Sequence, residues 1–526
     1  MSTSKKYIQA VENIHKKLMT FELPKKIGLL VNTFGSILFI AYYGRIINWK
    51  NVPSKKIVFT KGFSKNISFL FINIIVVLNI CFSSLLAQSL EKHNIQECFP
   101  NDVSLVDKIY TYSTIWNEIK YNFVNIDQIT FNSDSLYNAT IHSIIESTND
   151  VDYYKILRRF ICSFGDGHTA LLRTSYDMDD YFDYIPNNIE VFDNKFYFTS
   201  IRKIDDADST LLGAEIIEIE SIPTMQYVKE QYFPYISAST YNYRLMKATS
   251  QMGDGIKGTF FKGKAKKTNG EIVSFSIERN GDVTYTENNK YWEIKRPPLQ
   301  RGRIYLRWEE NIAILTVNSF HESVMMRIDS LMQIVNSKAQ GLIIDLRKNG
   351  GGSTEVAHHL QKYLTKENYF LSFGSQTRVN NAYGRSQGNY RKEYEAYYLG
   401  KAYQTEMPDT IFVERAIKKI PCPVVILIGK FSLSACEDFL VNIYETSNRP
   451  LLIGEETGGS TGAPLVIFGL PNKTVVRICT LRILYPYSLK PFVNKGISPD
   501  IEIKETFDDY LTGKDKVLER ALKTFL

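Results

Sequence analysis

The stretch Pro423-Val-Val-Ile-Leu-Ile-Gly-Lys-Phe-Ser-Leu-Ser-Ala-Cys-Glu-Asp-Phe-Leu440 decides how the rest of the chain is read. A short β-branched run, a Gly-Lys turn and small polar residues opening an amphipathic segment predict a buried strand, a tight turn and a helix start. Ser434 falls at that turn. The first turn of a helix offers unpaired N–H groups and the positive end of the helix dipole, so a serine there can be a nucleophile whose oxyanion is stabilised. The same residues also fit a plain capping box, Ser434-x-x-Glu437, in which the serine only caps the start of the helix. Companions elsewhere in the chain must decide between the two.

Strands and helices alternate on both sides of this stretch. Ile312–Val317 is expected as a strand and Val324–Val335 as a helix. Gly341-Leu-Ile-Ile-Asp-Leu-Arg-Lys-Asn-Gly-Gly-Gly352 is expected as a buried strand running into a glycine turn, and Leu451–Ile453 as a further strand. This pattern predicts an α/β core with a mainly parallel sheet over residues 300–510, whose functional groups gather at the carboxyl ends of its strands. The glycine turn Gly350–Gly352 and Ser434 both fall there.

Upstream, apolar residues at helical spacing (Leu105, Ile109, Tyr112, Ile115; Tyr137, Ile141, Ile144, Ile145) predict a helical subdomain over 100–187. It ends in Gly165-Asp-Gly-His168-Thr, where a histidine on a glycine-rich turn is free to point into a cleft. The other histidines sit in ordinary surroundings. Residues 188–285 switch to β signals at Phe196–Ile201, Glu215–Glu220 and Ile272–Ile277. Their Gly213-Ala-Glu-Ile-Ile-Glu-Ile-Glu-Ser-Ile-Pro223 stretch resembles a PDZ-like domain, whose open sheet edge takes up an extended peptide. A β-subdomain without a ligand remains the alternative. Between the core motifs, an insertion over 368–419 is rich in Tyr and Arg. Arg378 and Arg385 are expected either to grip a peptide carboxylate or to belong to a surface elaboration. Residues 511–526 close the chain with a helix.

Charge and cysteine content narrow the function classes. The chain carries net charge +7, but residues 1–65 alone carry +10, which leaves −3 for the remainder and no case for nucleic acid. That basic segment leads into apolar runs at 27–44 and 66–87. Lys55, Lys56, Lys61 and Lys65, then the second run, then small residues up to Ala87 have the form of a secretory signal, with a retained membrane anchor as the alternative. Residues 1–87 are therefore expected to export the chain to the periplasm or cell envelope, cleaved or anchored. The six cysteines are scattered and form no Cys-x-x-Cys pair, so neither a disulfide framework nor a metal site is expected. No motif asks for a cofactor.

Four motifs in order, Asp345-Leu-Arg-x-Asn-x-Gly-Gly352, Ser434-Ala-Cys-Glu437, Gly454-Glu-Glu-Thr-Gly-Gly459 and Lys495-Gly-Ile-Ser-Pro-Asp500, resemble the tail-specific, or C-terminal processing, serine peptidases of family S41. The resemblance spans roughly 103–503. It implies a helical N-terminal part, a PDZ-like domain and a crotonase-like α/β core, acting on peptides or unfolded protein tails. In one branch of the family a lysine downstream of the nucleophile is the base, and that spacing falls on Gly459. In the branch resembling the tricorn protease core a histidine serves, and Gly-Asp-Gly-His168-Thr matches it. The resemblance thus implies Ser434 as nucleophile, His168 as general base, and an oxyanion hole from the N–H groups of Ala435 and Gly351, with Gly350 and Gly352 in support. That branch places a serine before the histidine and a glutamate before the last motif. Here Gly167 and Phe492–Val493 stand at those places, so Glu437, Glu455, Glu456 and Asp166 are the candidate acidic partners. Lys430 is a weaker candidate base, and Cys436 is expected as a small buried helix residue. Relatives that carry lipophilic ligands supply the alternative function, a binding protein with little or no catalysis.

Overall fold

A computed structural model describes residues 99–174, 181–203, 208–281, 291–294, 302–379, 386–387 and 389–526. The apolar runs at 27–44 and 66–87, with the signal or anchor expected of them, lie outside the described residues, as does Arg385. Among the described residues no helix is long and apolar enough to cross a membrane.

Among the described residues three helices come first, α1 (Leu105–Asn122), α2 (Ser133–Ile145) and α3 (Asp150–Cys162). Ser104, Asn132 and Asn149 each cap one of them by accepting the N–H three residues on, which satisfies a donor the helix itself cannot. Their buried faces meet at Tyr112, Ile115, Ile119, Tyr153, Leu157 and Phe160. Of the expected stripes, Leu105 and Ile145 are solvent-exposed instead. Beyond α3 the chain turns through Asp166–His168 into β1 (Ala170–Arg173).

The β-rich region holds β2 (Asn187–Phe192), β3 (Lys195–Arg202), β4 (Glu215–Ile219), α4 (Tyr241–Ser250), β5 (Phe260–Lys266), β6 (Ile272–Glu278) and β7 (Tyr291–Glu293). These strands form an antiparallel sheet in the order β7-β3-β4-β5-β6, with β2 added on β3. Phe196, Phe198, Ile216, Phe261 and Phe275 build its core, onto which Leu245 and Ala248 of α4 pack.

The third region holds β8 (Ile304–Glu309), β9 (Ile312–Val317), α5 (Met325–Lys338), β10 (Gly341–Asp345), α6 (Thr354–Leu364), β11 (Val424–Ile428), α7 (Ala435–Tyr444), β12 (Leu451–Gly454), β13 (Pro464–Ile467), β14 (Val475–Cys479), β15 (Ile501–Glu502) and α8 (Lys516–Leu522). Six strands pair in the order β8-β9-β10-β11-β12-β15, parallel from β9 onward. Continuous apolar strands such as Ile426–Ile428 suit a sheet covered on both faces. One face packs on α5, α6 and α7 through Ile344, Leu360, Phe439 and Leu440, and the other on α8 through Ile343, Leu427 and Ala521.

Two ties hold the helical region to this core. β1 pairs antiparallel with β14, Ala170 opposite Arg477, and the buried Arg482 guanidinium reaches Val124 O, Asn125 Oδ1 and the Asp127 carboxylate. The 368–419 stretch is tied to the core as well. Gly374–Arg378 pairs with Tyr403–Glu406 on one side and with Arg482–Leu484 on the other.

Candidate active site

β11 ends at Ile428, and six residues later the chain enters α7 through Ser434, whose backbone sits at φ 56°, ψ −128°. A non-glycine residue pays about 1–3 kcal/mol to stand there. Neighbouring backbone bonds hold it in place: Ser434 N–H donates to Ser460 O at 2.9 Å, and Ser434 O accepts from Glu437 N at 2.7 Å. The capping-box arrangement is not formed. Ser434 caps no N–H with its side chain, and the Glu437 carboxylate accepts instead from Thr457 Oγ1 (2.5 Å), Gly459 N (2.7 Å) and Ser460 N (2.7 Å). The neighbouring Ser432 does the structural work, donating to Leu346 O and accepting from Gly429 N. A half-buried serine therefore stands at the N-terminus of α7 on a strained strand-to-helix turn, the setting in which a nucleophile is presented.

The glycine turn after β10 lies against this serine. A Cβ at Gly351, which has φ 95°, would sit 2.6 Å from Ser434 Cβ and 3.0 Å from Ala435 N, so no side chain fits. Asn349 ties the two turns together. Its carbonyl accepts from Leu433 N at 3.0 Å, and its Oδ1 accepts from Gly351 N at 2.9 Å. Ala435, first residue of α7, has an N–H with no carbonyl one turn earlier inside the helix.

His168 arrives from the helical region. Its turn is set by Asp166, whose Oδ1 accepts from His168 N at 2.9 Å. The imidazole is buried, with Nδ1 2.5 Å from Ser460 Oγ. Burial, joined by the Arg477 guanidinium, holds its pKa down to about 4. Arg477 itself donates to Gly167 O at 2.8 Å. Ser460 thus stands between the two expected catalytic residues, its carbonyl on Ser434 N–H and its hydroxyl on the imidazole. Among the described residues His168 and Ser434 share no direct hydrogen bond. The β-rich region completes the wall, with Ser239 Oγ accepting from Gly167 N (3.1 Å) and Thr240 Oγ1 donating to Gly458 O (3.1 Å).

The profile of peptidase family S41 matches residues 311–503, the segment that carries both turns, Ser434 and the Ser460 loop. Over that segment the chain is similar to peptidase family S41. It is 24% identical over 214 residues to the tail-specific protease of Haemophilus influenzae, covering 39% of this chain and 27% of that protein. It is 26% identical over 168 residues to the carboxy-terminal processing protease CtpA of Bacillus subtilis, covering 32% of this chain and 30% of that protein. These matches thus take in less than a third of either relative's length. Among solved structures, mature CPAF superposes with a TM-score of 0.63 at 13% identity, over 80% of this chain and 97% of that one. At that identity the likeness is one of fold.

Against this S41 frame, the described candidates take definite places. Gly459 (φ 73°) has no room for a lysine, since a Cβ would meet Thr240 Cγ2 at 2.6 Å and the Lys495 backbone at 2.8 Å. Of the candidate acidic partners, none of the described contacts reaches the imidazole. Asp166 holds the turn backbone, Glu437 holds the 457–460 loop, and Glu456 accepts from Gly496 N at 3.0 Å. Glu455 pairs through its backbone with Ile428 O. Burial pushes Glu437 up to about 8. Cys436 is fully buried and its thiol pushed up, an inert packing residue. Arg378 Nη1 donates to Lys120 O at 2.5 Å, near the end of α1, a tie within the fold. Arg347 and Asp500 likewise brace the core, through Asp345 with Asp515 and through Arg449. Among the described residues no cluster of three His, Cys, Asp or Glu side chains is placed to hold a metal. Sequence reading missed Ser460 and Arg477. Ser460 directly follows the quoted Gly454–Gly459 motif, whereas nothing local marks Arg477.

Proposed function

We propose that this chain is an exported serine endopeptidase that cleaves peptides or unfolded protein tails, with Ser434 as nucleophile and His168 as general base. The observation that carries the reading is the uncapped, strained Ser434 at the start of α7, with Gly351 packed against its Cβ. Ser434 Oγ attacks the scissile carbonyl carbon while its proton passes to His168 Nε2. The protonated imidazole then gives that proton to the departing amine, and water hydrolyses the acyl-enzyme by the same route in reverse. The oxyanion meets the Ala435 and Gly351 N–H groups. Gly351 N–H now rests on Asn349 Oδ1, and the oxyanion replaces that acceptor. The direct Ser434–His168 contact is one that the substrate-bound state completes, as catalytic hydrogen bonds often do.

The crotonase-like reading of the core rests on its parallel β9–β12 sheet with both turns at the strand ends. The PDZ-like reading of the β-rich region rests on the cleft between β2 and α4. Among the described strands β2 pairs only with β3, and a cavity of about 390 Å³ lined by Ile185, Asn188, Ile189, Thr249, Met252 and Asp254 lies alongside it. An extended substrate segment adds to that edge. Export, and any membrane association, rest on the basic and apolar leader within residues 1–87.

Hydrolysis of an unfolded protein substrate tests the reading. Wild type cleaves it, and Ser434→Ala and His168→Ala each lose at least about 10³-fold in kcat with the fold intact by circular dichroism. Cleavage that persists in Ser434→Ala overturns the assignment.

A further inference from the structure

We propose that Ser460 is the positioning residue of His168, taking the place on Nδ1 that a carboxylate holds in a Ser-His-Asp arrangement. The proposal rests on the assignment of His168 as base to Ser434. Its grounds are geometric. Ser460 Oγ lies 2.5 Å from Nδ1, and the residue is 4% exposed. Both of its backbone groups are fixed by the nucleophile's own helix: Glu437 Oε2 takes its N–H at 2.7 Å, and its carbonyl takes Ser434 N–H at 2.9 Å. One residue therefore sets the imidazole and the nucleophile relative to each other.

Gly167 supplies an independent observation. A Cβ there would lie 2.6 Å from Ser460 Oγ and 2.9 Å from Ser460 Cβ. The space beside the imidazole that a residue-167 side chain would enter is filled by the Ser460 hydroxyl, delivered from 292 residues away. The charged and titratable groups around the ring leave it that role. Asp166 is spent on the N–H of His168, Arg477 lies on Gly167 O, and Glu437 binds the loop backbone. Tyr243 on α4 and Cys479 on β14 are further titratable neighbours of Arg477, and Asp438 lies beside Glu437.

The chemistry follows from the tautomer. With Nδ1–H donating to Ser460 Oγ, the lone pair is on Nε2, ready for the Ser434 proton. A hydroxyl fixes the ring and its tautomer without a charge to stabilise the imidazolium. The base consequently stays neutral into the acid range, in keeping with its depressed pKa.

Steady-state kinetics on an unfolded protein substrate from pH 4 to 9 test this, with thermal melts confirming each variant's fold. Ser460→Ala is expected to lower kcat about 10–100-fold with KM within about twofold, and Ser460→Thr to restore most of the loss. Ser460→Asp places a charge on Nδ1 and is expected to move the acid limb of kcat/KM up by about one pH unit or more. Ser460→Gly combined with Gly167→Ser, which returns a hydroxyl to the same space from the other loop, is expected to exceed Ser460→Gly alone. Should a folded Ser460→Ala keep the wild-type kcat and acid limb while Ser434→Ala and His168→Ala are inactive, the positioning role is overturned and the assignment of nucleophile and base stands. Wild-type turnover in His168→Ala would overturn both.

Discussion

Two strand–turn–helix passages lie side by side in the sheet, β10 to α6 and β11 to α7, and they solve the same turn differently. Both need backbone in the positive-φ region. The first uses glycine, at φ 95° for Gly351 and 143° for Gly352, and the second uses serine, at φ 56° for Ser434. The glycines stand where there is no room: a Cβ at Gly352 would lie 2.5 Å from the Phe320 backbone, and one at Gly351 would press on Ser434. The serine stands where a side chain is needed at a helix N-terminus, and the fold carries its strain through bonds to Ser460 O and from Glu437 N. One turn gives space, and the other presents a hydroxyl into it.

Breaking that division should have large effects. Gly351→Ala puts a methyl group against Ser434 Cβ and Ala435 N, and is expected to lower kcat/KM by about 10²–10³-fold, because both the proposed nucleophile and a proposed oxyanion donor are displaced. Assay of the purified variant checks it, and near wild-type turnover would show that the two turns are not coupled as described. A smaller effect sharpens the other half of the comparison. Glycine in place of a helix-starting residue usually destabilises, yet Ser434→Gly relieves positive-φ strain that Ser434→Ala retains. The Gly variant is expected to be about 1 kcal/mol more stable than the Ala variant in urea unfolding. The reverse order would mean that Ser434 carries no such strain.

The alternation of apolar strands and helices made the α/β core legible in the sequence, because strands buried on both faces read as continuous runs such as Val424–Ile428. The two turns were legible too, since each couples a buried strand to a glycine or serine cluster at a helix start. What local sequence could not show was whether Ser434 and Glu437 close a capping box. That depends on where Glu437 points, and Glu437 points to a loop 20 residues and more away. The tie made by Arg378 was hidden for the same reason: its partner, Lys120 O, lies 258 residues upstream. Ser460 escaped notice because its partner His168 lies in a different region of the chain, and no periodicity records such a contact. Gly167 looked like a departure from the family pattern. Its meaning lies in what fills the space beside it.

The most direct test of the account is the rate of covalent labelling by a fluorophosphonate probe across pH, with the adduct located by mass spectrometry. Because the folded-state pKa of His168 is lowered to about 4, its base form persists as pH falls and is lost only near that value. The account predicts an adduct on Ser434, none in Ser434→Ala, a labelling rate sustained to about pH 5 and declining toward pH 4, and strongly slowed labelling in His168→Ala. An adduct elsewhere, no labelling of the folded wild type, or a rate unchanged in His168→Ala would contradict it.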